Sequence, residues 1–147
     1  MAKKSNVVDI GNLDTVAACN GGYEVELKHP ATGDPLGVFW TIRGKDSDVY
    51  REIVRDRLDE GLKKDIKARQ KGSEIEQETI SEIEEKTVEL LVLCSISWRQ
   101  EKPEYIMFNG QELIFNPQNA HKILTERRWI RSQLDSAIHN LANFMTN

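Results

Sequence analysis

Three histidines and two cysteines are the side chains through which this sequence could ligate a metal or present a strong nucleophile. His29, His121 and His139 fall in no HExxH or His-x-His arrangement, and Cys19 and Cys94 in no CxxC, the spacings that bring ligands together on one helix face or turn. His29 precedes Pro30 in a turn-rich stretch and reads as a loop residue facing solvent. His121 and His139 sit among polar neighbours in helical pattern and read as surface residues. Two distant cysteines read as free thiols in a reducing cytoplasm, with a disulfide as the alternative. Cys94 lies in the most apolar segment, where a thiol acts as a small hydrophobe and not as a low-pKa nucleophile. The sequence has no GxSxG, GxxxxGK[ST] or GxGxxG. Asp56 with Asp59, and Glu82 with Glu85, are within reach of each other on helices, but helices this charged produce such pairs without acid–base purpose. Arg127, Arg128 and Arg131 around Trp129 come nearest to a nucleic-acid patch. The simpler reading has Trp129 anchoring a helix with the arginines at the surface. No enzyme activity, cofactor or metal is expected from these residues.

The charge balance agrees. In 147 residues, 20 Lys and Arg face 24 Asp and Glu, a net charge of −4, whereas a nucleic-acid binder shows a basic excess. Mean hydropathy is −0.54, and no apolar run approaches the roughly 20 residues that span a bilayer, so no membrane partner is expected. The N-terminal MAKKSNVVDIGNLD lacks the apolar core of a secretory signal. The length suits one compact domain.

The elements that must position these residues are clearest at the C-terminal end. Asn109-Gly110 between Tyr105–Phe108 and Leu113–Phe115 is a type I′ hairpin signal, since both central residues need positive φ. Asn116-Pro117 reads as an N-cap and first helical residue. Ala120, Ile123 and Leu124 give a short helix its apolar face, and Trp129, Ile130, Leu134, Ala137, Ile138, Leu141 and Met145 give a long one its stripe. Towards the N-terminus, residues 1–21 read as a flexible arm with a short helix near Leu13–Cys19. Gly22–Lys28 and Gly37–Arg43 alternate as strands of an antiparallel hairpin around the turn-rich His29–Pro35. Asp46 or Ser47 caps a helix from Asp48 to about Lys71, with Tyr50, Val54, Leu58, Leu62 and Ile66 as its buried seam and Gly72 as its stop. Ser73 and Glu76 have capping-box spacing for a second helix. That helix starts acidic and ends apolar, from Val88 to Trp98, where composition also permits a strand; the unbroken run from the glutamates favours helix. Lys63–Lys71 against Glu74–Glu85 lets two antiparallel helices face opposite charges, as a projecting arm at about 63–86.

The expected fold is therefore α+β. It has an N-terminal antiparallel β-hairpin, two long central helices, and a short C-terminal hairpin followed by two helices, all in one domain over residues 22–147. The core is expected to join Trp98, Phe115, Trp129, Ile130, Leu134 and Ile138 to Leu58, Leu62, Leu91 and Cys94. Trp98, Phe108, Phe115, Trp129, Ile130, Leu134 and Phe144 are the candidate anchors or partner-binding residues. These features describe a binding or assembly protein.

Three stretches narrow that class: Leu27-Lys28-His29-Pro30-Ala31-Thr32-Gly33-Asp34-Pro35-Leu36-Gly37 with Gly44-Lys45-Asp46-Ser47 and Tyr50-Arg51; Glu89-Leu90-Leu91 leading to Trp98; and Phe108-Asn109-Gly110-Gln111-Glu112-Leu113, Phe115–Ala120, Trp129–Gln133 and Ala142-Asn143-Phe144. In order and spacing the chain resembles the tail assembly chaperones of long-tailed bacteriophages and prophages from about Leu27 to Phe144, departing from them in residues 1–21 and in the charged middle. The resemblance implies a non-enzymatic protein of the host cytoplasm. Such a protein coats the helical tape-measure protein, helps recruit tail-tube protein, self-associates, and is absent from the finished particle. Some relatives have a longer frameshifted form, of which this chain would be the short version. A structural virion component, such as a tail-completion or connector protein, is the alternative. A small nucleic-acid regulator or nuclease is a third class.

Overall fold

A computed structural model describes residues 7–72, 78–101 and 105–145. After a single 3-10 turn, Ile10–Asn12, helix α1 (Thr15–Gly21) begins at Asp14, whose carboxylate accepts the Ala17 N–H at 2.9 Å. Strands β1 (Tyr23–Lys28) and β2 (Pro35–Ile42) form the expected antiparallel hairpin. Their alternation puts Val25, Leu27, Trp40 and Ile42 into the core. Ser47 is fully buried and caps helix α2 (Asp48–Lys71), accepting the Tyr50 N–H. Gly72 stops α2 in the left-handed conformation at φ 66°. Helix α3 (Ile80–Cys94) is capped by Thr79, and the Ser73–Glu76 capping box falls outside the described residues.

The second long helix does not reach Trp98. It ends at Cys94, and Ser95–Arg99 is strand β3, paired antiparallel to the free edge of β2. The switch has a physical cause. A strand sets Trp98 directly opposite Trp40, with ring centroids 4.8 Å apart, and satisfies the open hydrogen-bonding edge of β2. Ser95 also closes the turn: its hydroxyl donates to Leu91 O at 2.6 Å and accepts the Trp40 indole N–H at 2.8 Å. The result is a three-stranded sheet, β1-β2-β3.

Strands β4 (Tyr105–Phe108) and β5 (Gln111–Ile114) form the second hairpin. Asn109 and Gly110 both have positive φ, at 50° and 79°, as a type I′ turn requires. The Trp98 indole N–H donates to Leu113 O at 2.9 Å, and the Trp98 ring meets Phe115 edge-on, which fixes this hairpin to the main sheet. Helix α4 (Pro117–Glu126) starts at Asn116 as expected, with Asn116 accepting the Asn119 N–H. The final stripe divides into α5 (Arg128–His139) and the single turn α6 (Leu141–Phe144), broken at Asn140.

One face of the sheet packs on α3, α4 and α5. Trp40, Ile42 and Trp98 meet Leu91, Cys94, Ile123, Leu124, Leu134 and Ile138 in a single core. Gln133 on α5 also binds the outer edge of β1, exchanging hydrogen bonds with both the N–H and the C=O of Lys28. A smaller cluster joins the chain ends. Cys19 on α1 is fully buried, and Gly44 lies so close to Cys19 and Phe144 that a Cβ there would come within 2.4 Å of the Cys19 sulfur. Thr15–Gly21 of the expected arm is thus a docked helix.

The expected seam of α2 is covered only at its start, where Tyr50 packs against the core beside Val49 and Ile53 and Val54 is half-buried. No residue of α2 is fully buried, and Leu58, Leu62 and Ile66 are 69%, 60% and 46% exposed. Leu58 and Leu62 therefore leave the expected core list. Arg57, whose guanidinium donates to Lys86 O at 2.7 Å, marks the side of α2 that meets α3. At about 100° per residue, Leu58, Leu62 and Ile66 lie about 100° to 180° around the helix from that side.

Candidate partner-binding surface

The three histidines lie in the hairpin tip and on helix surfaces, and the two cysteines are buried. His29 stays in the hairpin tip, where its Nδ1 accepts N–H groups from Ala31 and Thr32 at 3.1 and 3.2 Å. His121 meets Glu85 at 2.7 Å across α4 and α3, and His139 meets the Tyr50 hydroxyl at 3.2 Å across α5 and α2. Both pairs are exposed and tie helices together. No group of three or more His, Cys, Asp or Glu among the described residues is arranged to hold a metal ion. Cys19 and Cys94 are free and buried, and burial pushes the Cys94 thiol up to about 11, far from nucleophilic at neutral pH. Arg127 lies over the Phe108 ring at 5.0 Å and donates to Asn109, so it braces the second hairpin. Arg131 faces Glu84 and Asp135 in a shallow groove between α3 and α5. No described helix is long and apolar enough to cross a membrane.

The seven candidate anchors serve mainly as anchors. Trp98, Ile130, Leu134 and Phe144 are buried, and Phe108, Phe115 and Trp129 are half-buried against the core. None of the seven forms an open apolar face. The open apolar surface lies on residues assigned to the core or passed over by periodicity.

Two such surfaces stand out. The first is the Leu58–Leu62–Ile66 stripe of α2, a helix of 24 residues and about 36 Å. Arg55 and Arg69 share that face and Asp59 and Asp65 border it, so it is an apolar stripe among charges of both signs. The second is a cleft of about 510 Å³ where α3 meets the start of α4, walled by Val92, Leu93 and Pro117 and rimmed by Glu89, Gln118 and His121. Leu93 is 55% exposed there, in a segment expected to be buried all round. The helical period held the signal: Glu82, Glu85 and Glu89 share one side of α3 with Val92 and Leu93, so that side could not face the core.

Electrostatically, the two long helices meet through Arg57 and Glu89, away from the Lys63–Lys71 and Glu74–Glu85 stretches that the charge split set against each other. Arg57 reaches Glu89 at 3.9 Å, and Lys86 pairs with Glu78, whose carboxyl it holds below the usual range, helped by Lys64 on α2. Both pairs are largely exposed and contribute little to stability; only Arg57–Glu89 joins the two helices. Comparison with known proteins found no match for this chain among family models, curated proteins or solved structures.

Proposed function

We propose that this protein is a bacteriophage tail assembly chaperone, a non-enzymatic protein of the host cytoplasm that coats the tape-measure protein and helps bring tail-tube protein to it. The observation that carries the reading is the outward face of α2. Leu58, Leu62 and Ile66 repeat every four residues on a long helix and stay exposed, which is the arrangement that receives an apolar-striped partner helix. Such a partner aggregates when its stripe is bare, and covering that stripe keeps it soluble. The face is narrow and flanked by charge, so each copy contributes weakly and a row of copies on one long helix binds firmly through multivalency. That balance suits a cover that must be displaced when the tail tube forms. Self-association into a ring or helical coat belongs to the same reading.

The test is co-expression with a tape-measure segment, read by the segment's solubility and by light scattering of the purified mixture. The expected result is a soluble complex larger than either component. A segment that stays equally insoluble, with no complex formed, overturns the proposal. Recovery of the protein in purified particles would instead make it a structural tail component.

A further inference from the structure

The order β1-β2-β3 leaves β1 at one edge of the sheet, and that edge borders a groove of about 460 Å³ walled on its other side by α5. The His29 N–H donates to Asp34 O across the hairpin tip, so Lys28 turns its own N–H and C=O outward. Outward orientation recurs at every second residue of a strand, which gives Glu26 and Glu24 the same aspect. The irregularity between Glu26 and Lys28 keeps this order, because it lies in β2, where Phe39 and Pro35 stand opposite them. β1 therefore shows the groove a ladder of main-chain donors and acceptors.

An amide already occupies one rung of that ladder. The Gln133 carboxamide accepts the Lys28 N–H at 2.9 Å and donates to the Lys28 C=O at 2.8 Å, the pair of bonds that a neighbouring backbone makes. The α5 wall has a matching pitch. Ser132, Ser136 and Asn140 line the groove four residues apart, ~6 Å along the helix, close to the ~6.8 Å that two residues of an extended chain cover. Val25 and Ala137 supply the apolar floor. On the other face of β1, Arg99 is committed to Glu24, and Glu26 makes no salt bridge among the described residues.

We infer that the groove receives an extended peptide segment of a partner protein, which lies along β1 as a fourth strand and exchanges main-chain hydrogen bonds with Glu26 and Glu24. A helix cannot fill the ladder, because its main-chain groups are spent internally. The two faces set the sequence preference: small residues opposite Val25 and over Ala137, and a cation opposite Glu26. The inference does not depend on what α2 binds.

The probe is the acetylated, amidated peptide Thr-Lys-Thr-Lys-Thr, titrated into the isotope-labelled full chain and followed by NMR. The amides of Glu24, Glu26 and Ser136–Asn140 should shift together. An added strand uses the N–H of every second residue only. N-methylation of the two lysines, which stand opposite the glutamates, should weaken binding at least about tenfold, whereas N-methylation of the central threonine should leave it within about twofold. Both methylated peptides keep their charge, so general attraction to an acidic protein cannot separate them. Ser136→Tyr, at an exposed position, fills the groove and should abolish binding with the fold intact. The inference is overturned if millimolar peptide shifts neither Glu24 nor Glu26, if both methylated peptides bind alike, or if Ser136→Tyr binds as the unaltered chain does. It also fails if the free protein sediments as a dimer with those two amides already protected from exchange, since a second copy would then hold the edge.

Discussion

Ser95 terminates α3, begins β3, and bridges Leu91 O to the buried Trp40 indole, so its hydroxyl holds the helix-to-strand junction together. Ser95→Ala leaves a buried N–H without an acceptor and should cost about 1–3 kcal/mol in urea unfolding. The two tryptophans at that junction are core residues, and Trp98→Ala should cost about 3–5 kcal/mol. Trp129 is only half-buried, so Trp129→Ala should cost clearly less than Trp98→Ala in the same measurement. Comparable losses would place Trp129 in the central core. Glu24 accepts two hydrogen bonds from Arg99, at 2.7 and 2.8 Å, and these hold its carboxyl below the usual carboxylate range. Because the folded value lies below the unfolded one, the stabilisation is present above the unfolded pKa and fades as pH falls through the folded one. Glu24→Gln should therefore flatten the acid side of the stability curve. The effect is modest because the pair is exposed, at 45% and 41%.

At the scale of elements, the proposed role of α2 can be tested apart from stability. Leu58→Asp and Leu62→Asp place a charge on an already solvated face. Each should change unfolding free energy by no more than about 0.5 kcal/mol, while reducing capture of a tape-measure segment. A loss of several kcal/mol would mean that the stripe is packed in the folded protein. The basic end of α2 is also the place for a first proteolytic nick, near Arg69–Lys71, since those residues are exposed and lie where α2 ends. Trypsin should cut there before it cuts at Arg99, which is held in β3 by Glu24 and stacked on Phe39 at 4.0 Å.

Across the whole molecule, the sequence determined what depends on neighbouring residues. Asn109-Gly110 specified its turn because only such residues adopt two positive φ angles cheaply, and Asn116-Pro117 specified a helix start through one local hydrogen bond. The N-terminal hairpin, the span of α2 and the α+β class followed from equally local periodicity. The candidate anchors were legible as apolar stripes, but periodicity shows only that a residue has a face and not what covers it. Tertiary structure decided the rest. Ser95–Arg99 became a strand because β2 had an open edge and Trp40 a place for Trp98, partners far away in sequence. Leu58, Leu62 and Ile66 stayed exposed because α2 meets α3 through Arg57, on another side of the helix, and no described residue covers the opposite one. Leu93 opened into a cleft for the same reason, since α3 can turn only part of its circumference toward one core.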